Sequence, residues 1–149
     1  MKPGIHFSKI WSDDHLVELR ITACDGTSLF SNTVYAGHAS LEETASNLDV
    51  FKDQIHGGLL DVALGAFGPE YANGAFHARL QFPRPGRLYI TCRQESDFED
   101  FAKKTVASHA TLYLQSEPAL LDRFLSQFHA LATSTSDEAY LEGVRPSIS

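Results

Sequence analysis

The feature that most constrains this chain is a period of two. Phe76, Ala78, Leu80 and Phe82 alternate with His77, Arg79 and Gln81, and Val17, Leu19, Ile21 and Ala23 alternate with Glu18, Arg20 and Thr22. Successive side chains of an extended strand point to opposite faces, so each stretch describes a strand with one buried and one solvated side. An apolar strand face needs a cover, which sends the search to the helical segments.

The same pattern places strands at residues 5–11, 15–23, 29–36, 59–66, 75–82, 88–93 and 106–114. Asp25-Gly26 marks a two-residue hairpin turn, because a type I′ turn needs positive φ at both central positions. Ser40-Leu-Glu-Glu43 has capping-box spacing and opens a helix with Leu41, Ala45, Leu48, Phe51 and Ile55 on one stripe, stopped by Gly57-Gly58. Ser96-Asp-Phe-Glu99 repeats that spacing and predicts a short helix ending near Lys103-Lys104. Pro118 suits a first helical turn, and Leu121, Phe124, Leu125 and Phe128 form a second stripe. From Thr133 onward the chain is Ser/Thr-rich and reads as a polar, flexible tail. The expectation is one α+β domain over residues 1–132 and a tail over 133–149. Its architecture is a single antiparallel sheet of about six or seven strands with two amphipathic helices packed on one face.

Composition narrows the function. At 149 residues and 43% hydrophobic, the chain buries a single core without a metal or disulfide staple. No window approaches the roughly 18 apolar residues of a membrane helix, and Met1-Lys2-Pro3-Gly4 is not followed by an apolar signal region. Cys24 and Cys92 form no C-x-x-C, which suits a reducing, cytoplasmic setting. The net charge is -7, and residues 1–75 carry 4 Lys/Arg against 10 Asp/Glu. A negative protein repels phosphate backbones, and the basic residues from Arg79 to Arg93 lack an RNA-binding aromatic pattern, which argues against nucleic acid.

Catalytic signatures are equally sparse. The seven histidines show no H-x-H or H-E-x-x-H spacing, so neither metal nor cofactor is expected. No G-x-S-x-G elbow or phosphate loop occurs. The acidic pairs Asp13-Asp14, Glu42-Glu43 and Glu99-Asp100 fall at turns or helix starts, where capping explains them. Glu70 with His77 is the best acid/base pair, and with Arg79 it defines an alternative reading as a small enzyme or ligand-binding protein.

Parity then identifies a face. Leu88, Ile90 and Cys92 point inward from one strand and Val106, Ala110, Leu112 and Leu114 from another, leaving Tyr89, Arg93, His109 and Tyr113 outside with His77 and Arg79. A five-residue loop, residues 83–87, sets His77 opposite Arg93, Arg79 opposite Thr91 and Gln81 opposite Tyr89. Arg and Tyr are enriched at interface hot spots, so these six residues form the candidate binding surface, with the acidic Glu42 to Asp53 helix as the alternative. A homodimer through the same face is a further reading.

The segments FGPEYANGAFHARLQF (67–82) and VASHATLYLQSEPALLDRFLSQF (106–128) resemble small bacterial proteins built from a compact sheet and a final amphipathic helix. Several such families are similar to immunity proteins, which bind and neutralise a toxin. The resemblance covers roughly residues 5–131 and carries no catalytic residue. It implies a non-enzymatic protein that binds another protein, and the acidic charge would suit a basic toxin domain through electrostatic steering.

Overall fold

The structure is a computed structural model that describes residues 2–71 and 73–145. These form β1 (Gly4–Ser12), β2 (Leu16–Cys24), β3 (Leu29–Gly37), α1 (His38–Phe51), β4 (Leu59–Gly65), β5 (Asn73–Arg84), β6 (Arg87–Asp97), β7 (Glu99–Phe101), β8 (Lys104–Val106), β9 (His109–Ser116), α2 (Pro118–Ala132) and β10 (Glu138–Glu142). The chain is α+β, its strand pairs are antiparallel, and the single sheet expected from alternation is replaced by several. One sheet has the order β10-β1-β2-β3, a second β4-β5-β6-β9, and β7 with β8 forms a separate hairpin. Alternation tells which side of a strand is buried but not what buries it. Here the two sheets cover each other as well as taking cover from the helices.

Aromatic rings make that mutual cover visible. Phe7 of β1 meets Phe76 of β5 edge-to-face at 5.5 Å and Phe124 of α2 at 5.5 Å. Phe51 of α1 stacks on Phe82 of β5 at 4.9 Å. All five rings lie in one buried cluster that draws on both sheets and both helices. Each ring so buried contributes about 1.5–3 kcal/mol. His129 Nε2 and Asp49 Oδ2, at 2.8 Å, tie α2 to α1 above this core.

Where the sheets come together the interior turns polar. Asn32 of β3 donates through Nδ2 to the carbonyls of Ala75 (3.1 Å) and Glu95 (2.9 Å), while Gln94 of β6 donates through Nε2 to the Ile21 carbonyl (3.0 Å) and to Asn32 Oδ1 (2.7 Å). These bonds join β2 and β3 to β5 and β6.

Local expectations fail for identifiable reasons. Helix α1 begins two residues before the Ser40 capping box: Gly37 is its cap and makes no side-chain cap bond. Ser40 lies inside, its carbonyl accepting from Thr44 Oγ1 at 2.8 Å. The helix stops at Phe51, and Ile55 packs half-buried on the core from the following turns. The second capping box is no helix. Ser96 continues β6, its Oγ accepting from the Ser108 N–H at 2.9 Å, and the next residues form the exposed β7–β8 hairpin. Val106 therefore belongs to β8 and is exposed. The Asp25-Gly26 hairpin exists with a four-residue turn, in which Asp25 Oδ1 accepts from the Thr27 and Ser28 N–H groups.

The tail from Thr133 is also corrected. Glu138–Glu142 is a strand pairing with β1, and it buries Ala139 and Leu141. The Val144 N–H then donates to the Gln115 carbonyl of β9 at 2.8 Å. Residues 146–149 of the expected tail, and Ala72 of the connection before β5, lie outside the described residues.

Candidate functional site

Four strands build the outer face of the second sheet, and their registers set its side chains in rows. Asp61, Arg79, Thr91 and Tyr113 make one row; Ala63, His77, Arg93 and Thr111 the next. Leu59, Gln81, Tyr89 and Gln115 lie on one side of these, and Glu95 with His109 on the other. His77 stands opposite Arg93, Arg79 opposite Thr91 and Gln81 opposite Tyr89, the register that parity requires. The strands run past the expected five-residue loop to a tighter turn at Pro85-Gly86, with the ladder shifted between Gln81 and Arg84.

All six candidate residues share this face. Arg79, Arg93, His109 and Tyr113 are exposed, Tyr113 at 71%, while His77 and Tyr89 are half-buried.

Asp61, which the sequence reading passed over, organises one corner. Arg79 grips it with two hydrogen bonds, Nε to Oδ1 at 2.9 Å and Nη2 to Oδ2 at 3.2 Å, and His77 Nε2 lies 3.3 Å from Oδ1. The Arg79 bond, and then its charge, hold the Asp61 carboxyl below its usual range and push the guanidinium up. His77 Nδ1 is buried with no hydrogen-bond partner among the described residues.

Asp61 and Arg79 form a cross-strand ion pair with the His77 ring beside it. Both carboxylate oxygens serve Arg79, and the side chains around His77 in its own row are Ala63, Arg93 and Thr111. Among the described residues the carboxylate within 4 Å of His77 is Asp61. Glu70 is exposed in the 3₁₀ turn Pro69–Tyr71.

The connection before that turn folds over the face. Phe67 sits under the Arg93 guanidinium, whose Cζ is 4.8 Å from the ring centroid, and Glu95 Oε1 accepts from the Gly68 N–H at 2.9 Å. A cation over an aromatic face is held without losing its donors to solvent or to a partner.

On the other side of the face a hollow of about 310 Å³ opens beside Tyr89, Thr91, Tyr113 and Gln115. Pro3, Asp25 and Val144 wall it from the neighbouring end of the first sheet. The Ser28 and Thr27 backbone N–H groups hold the Asp25 carboxyl below its usual range, so it is ionised at neutral pH.

Elsewhere, burial pushes the Cys92 thiol up to about 12, and Cys24 and Cys92 are both free and buried. Among the described residues no three His, Cys, Asp or Glu side chains gather as a metal-ligand set, and no helix is long and apolar enough to cross a membrane. Comparison with protein-family models, with curated proteins and with solved structures gives no match for this chain.

Proposed function

We propose that this chain is a protein-binding module that works through the outer face of its second sheet. The observation that carries the reading is the juxtaposition of an exposed Tyr113, with Tyr89, Thr91 and Gln115, and a hollow large enough for one anchoring side chain. Aromatic residues beside a pocket are the composition of an interface centre, and Arg93, pre-positioned by Phe67, adds a donor-rich rim.

Two tyrosine rings and the ionised Asp25 favour a cationic anchor, a lysine or arginine of the partner. The net charge of -7 favours the same partner at long range. An immunity-type inhibitor of a basic toxin domain is the particular form this supports. Two free cysteines suit the cytoplasmic setting where such an inhibitor acts.

The test is affinity capture from an extract of the native cell, with an Arg93→Ala/Tyr113→Ala variant beside the wild type. A basic partner retained by the wild type and lost by an equally stable variant supports the reading. A monomer that retains nothing, or a partner kept by the variant, contradicts it.

A further inference from the structure

We propose that the free edge of β4 takes up an extended, lysine- or arginine-bearing segment of a partner protein as an added strand. The inference rests on the protein-binding reading but uses a different surface, the margin of the second sheet instead of its outer face. Strand order puts β4 at that margin, paired among the described residues with β5 alone. The Phe82 N–H donates to the Gly58 carbonyl at 2.9 Å, which fixes the phase of the ladder. Hydrogen-bonded residues of an antiparallel pair recur at every second position, so Leu60, Val62 and Leu64 spend their backbone groups on β5. Those of Leu59, Asp61 and Ala63 are aimed away.

Two other margins of the fold are each met at one position. The Val144 N–H bonds to β9, and Gln127 Oε1 of α2 accepts from the Tyr140 N–H of β10 at 2.7 Å. β4 lacks several of the usual guards: it holds no Pro and no Lys, its register runs unbroken from Leu59 to Gly65, and Leu59 is 50% exposed. Between it and α1 lies a hollow of about 230 Å³ with Ser40, Glu43, Thr44 and Asn47 on the helix side. A peptide strand laid there gains main-chain bonds from one wall and polar side chains from the other, the mode of β-augmentation.

Charge selects the occupant. Arg79 already occupies Asp61, whereas Glu43 has no cation within 4 Å among the described residues, and the neighbouring Glu42 is exposed. The uncompensated charge at the groove is negative. A second copy adding through the same edge would bring another acidic margin against the first, so the complementary strand is a basic one.

The probes are short synthetic peptides of alternating Lys and Val, or Glu and Val, titrated against the full chain by fluorescence anisotropy. The Lys-Val peptide should bind and the Glu-Val peptide should not. Ala63→Pro removes an outward N–H without touching the β5 ladder and should weaken Lys-Val binding about tenfold. Glu43→Gln should weaken it about threefold at low salt. If Ala63→Pro does not fold, a Lys-Val peptide N-methylated at alternate amides must bind the wild type about tenfold more weakly. Equal binding of both peptides, indifference to Ala63→Pro in a folded protein, or a wild-type dimer that Ala63→Pro converts to a monomer would each overturn the proposal. Arg93→Ala/Tyr113→Ala should leave peptide binding unchanged. Loss of the edge effect with capture intact therefore sinks this inference alone, and the reverse sinks the outer-face reading alone.

Discussion

Gln94 and Asn32 are hydrogen-bonded to each other across the junction of the two sheets, Gln94 Nε2 to Asn32 Oδ1 at 2.7 Å, with both side chains buried. Between them they also occupy the carbonyls of Ile21, Ala75 and Glu95. In a low-dielectric interior such a network favours one mutual placement of the sheets, since any slip leaves several polar groups unpaired at once.

Replacing either member by Leu should therefore cost about 2–3 kcal/mol, more than an ordinary hydrogen bond, because the other amide is left buried and unsatisfied. Urea denaturation of Asn32→Leu, Gln94→Leu and the double variant measures this. The double variant should fall short of the sum by at least about 0.5 kcal/mol. Strict additivity would show the two amides to be independent.

Gly74 tests the same junction through the backbone. Its φ is +88°, and an added Cβ would meet the Thr33 carbonyl oxygen of β3 at 2.1 Å. Gly86 has a similar φ of +85° with nothing within 4 Å. Gly86→Ala should cost about 1 kcal/mol, the price of the left-handed conformation, whereas Gly74→Ala should cost at least about 3 kcal/mol because β3 must move. Thermal melts of the two variants side by side separate the terms.

Cys92, with its thiol pushed up to about 12 by burial, carries almost no thiolate at pH 8. Iodoacetamide should leave it unmodified in the native protein and modify it in urea. Rapid native labelling would show that β6 opens locally.

Asp61 gives a pH dependence with a definite sign. Arg79 lowers its folded value below the 3.8 of a free carboxyl. Stability from the pair is thus present above 3.8 and is lost as pH falls through the folded value. Because the Asp61 side chain is 40% exposed, that contribution should stay under about 1 kcal/mol. Carboxyl NMR titration should return Asp61 toward 3.8 in Arg79→Ala. An unchanged titration would mean that the arginine does not set it.

Much of the candidate site was legible because side-chain parity is a local property. The alternation in β5, β6 and β9 placed six side chains on one face, and even partner sums gave the His77–Arg93 register. The same rule applied to Leu59–Gly65 would have put Asp61 on the same face as Arg79, which is the signal the reading passed over. Phe67 leaves no such trace, since it reaches the face from a connection. The division into two sheets was hidden because alternation does not name the cover, and its clue, the buried Asn32 and Gln94, looks in sequence like two polar residues at odds with their strands. Ser96 shows the limit of a motif. Its hydroxyl can cap a helix or accept from a facing strand, and tertiary pairing with Ser108 decided.

The most direct test of the account is hydroxyl-radical footprinting of the chain alone and in complex with its captured partner, read at Tyr113, Val50 and Phe101. All three are well exposed, at 71%, 64% and 71%, but they lie on the outer sheet face, on α1 and on the β7–β8 hairpin respectively. The account predicts that the partner suppresses modification of Tyr113 and leaves Val50 and Phe101 at their free rates. Protection of Val50 with Tyr113 unchanged would move the interface to the acidic helix and contradict it.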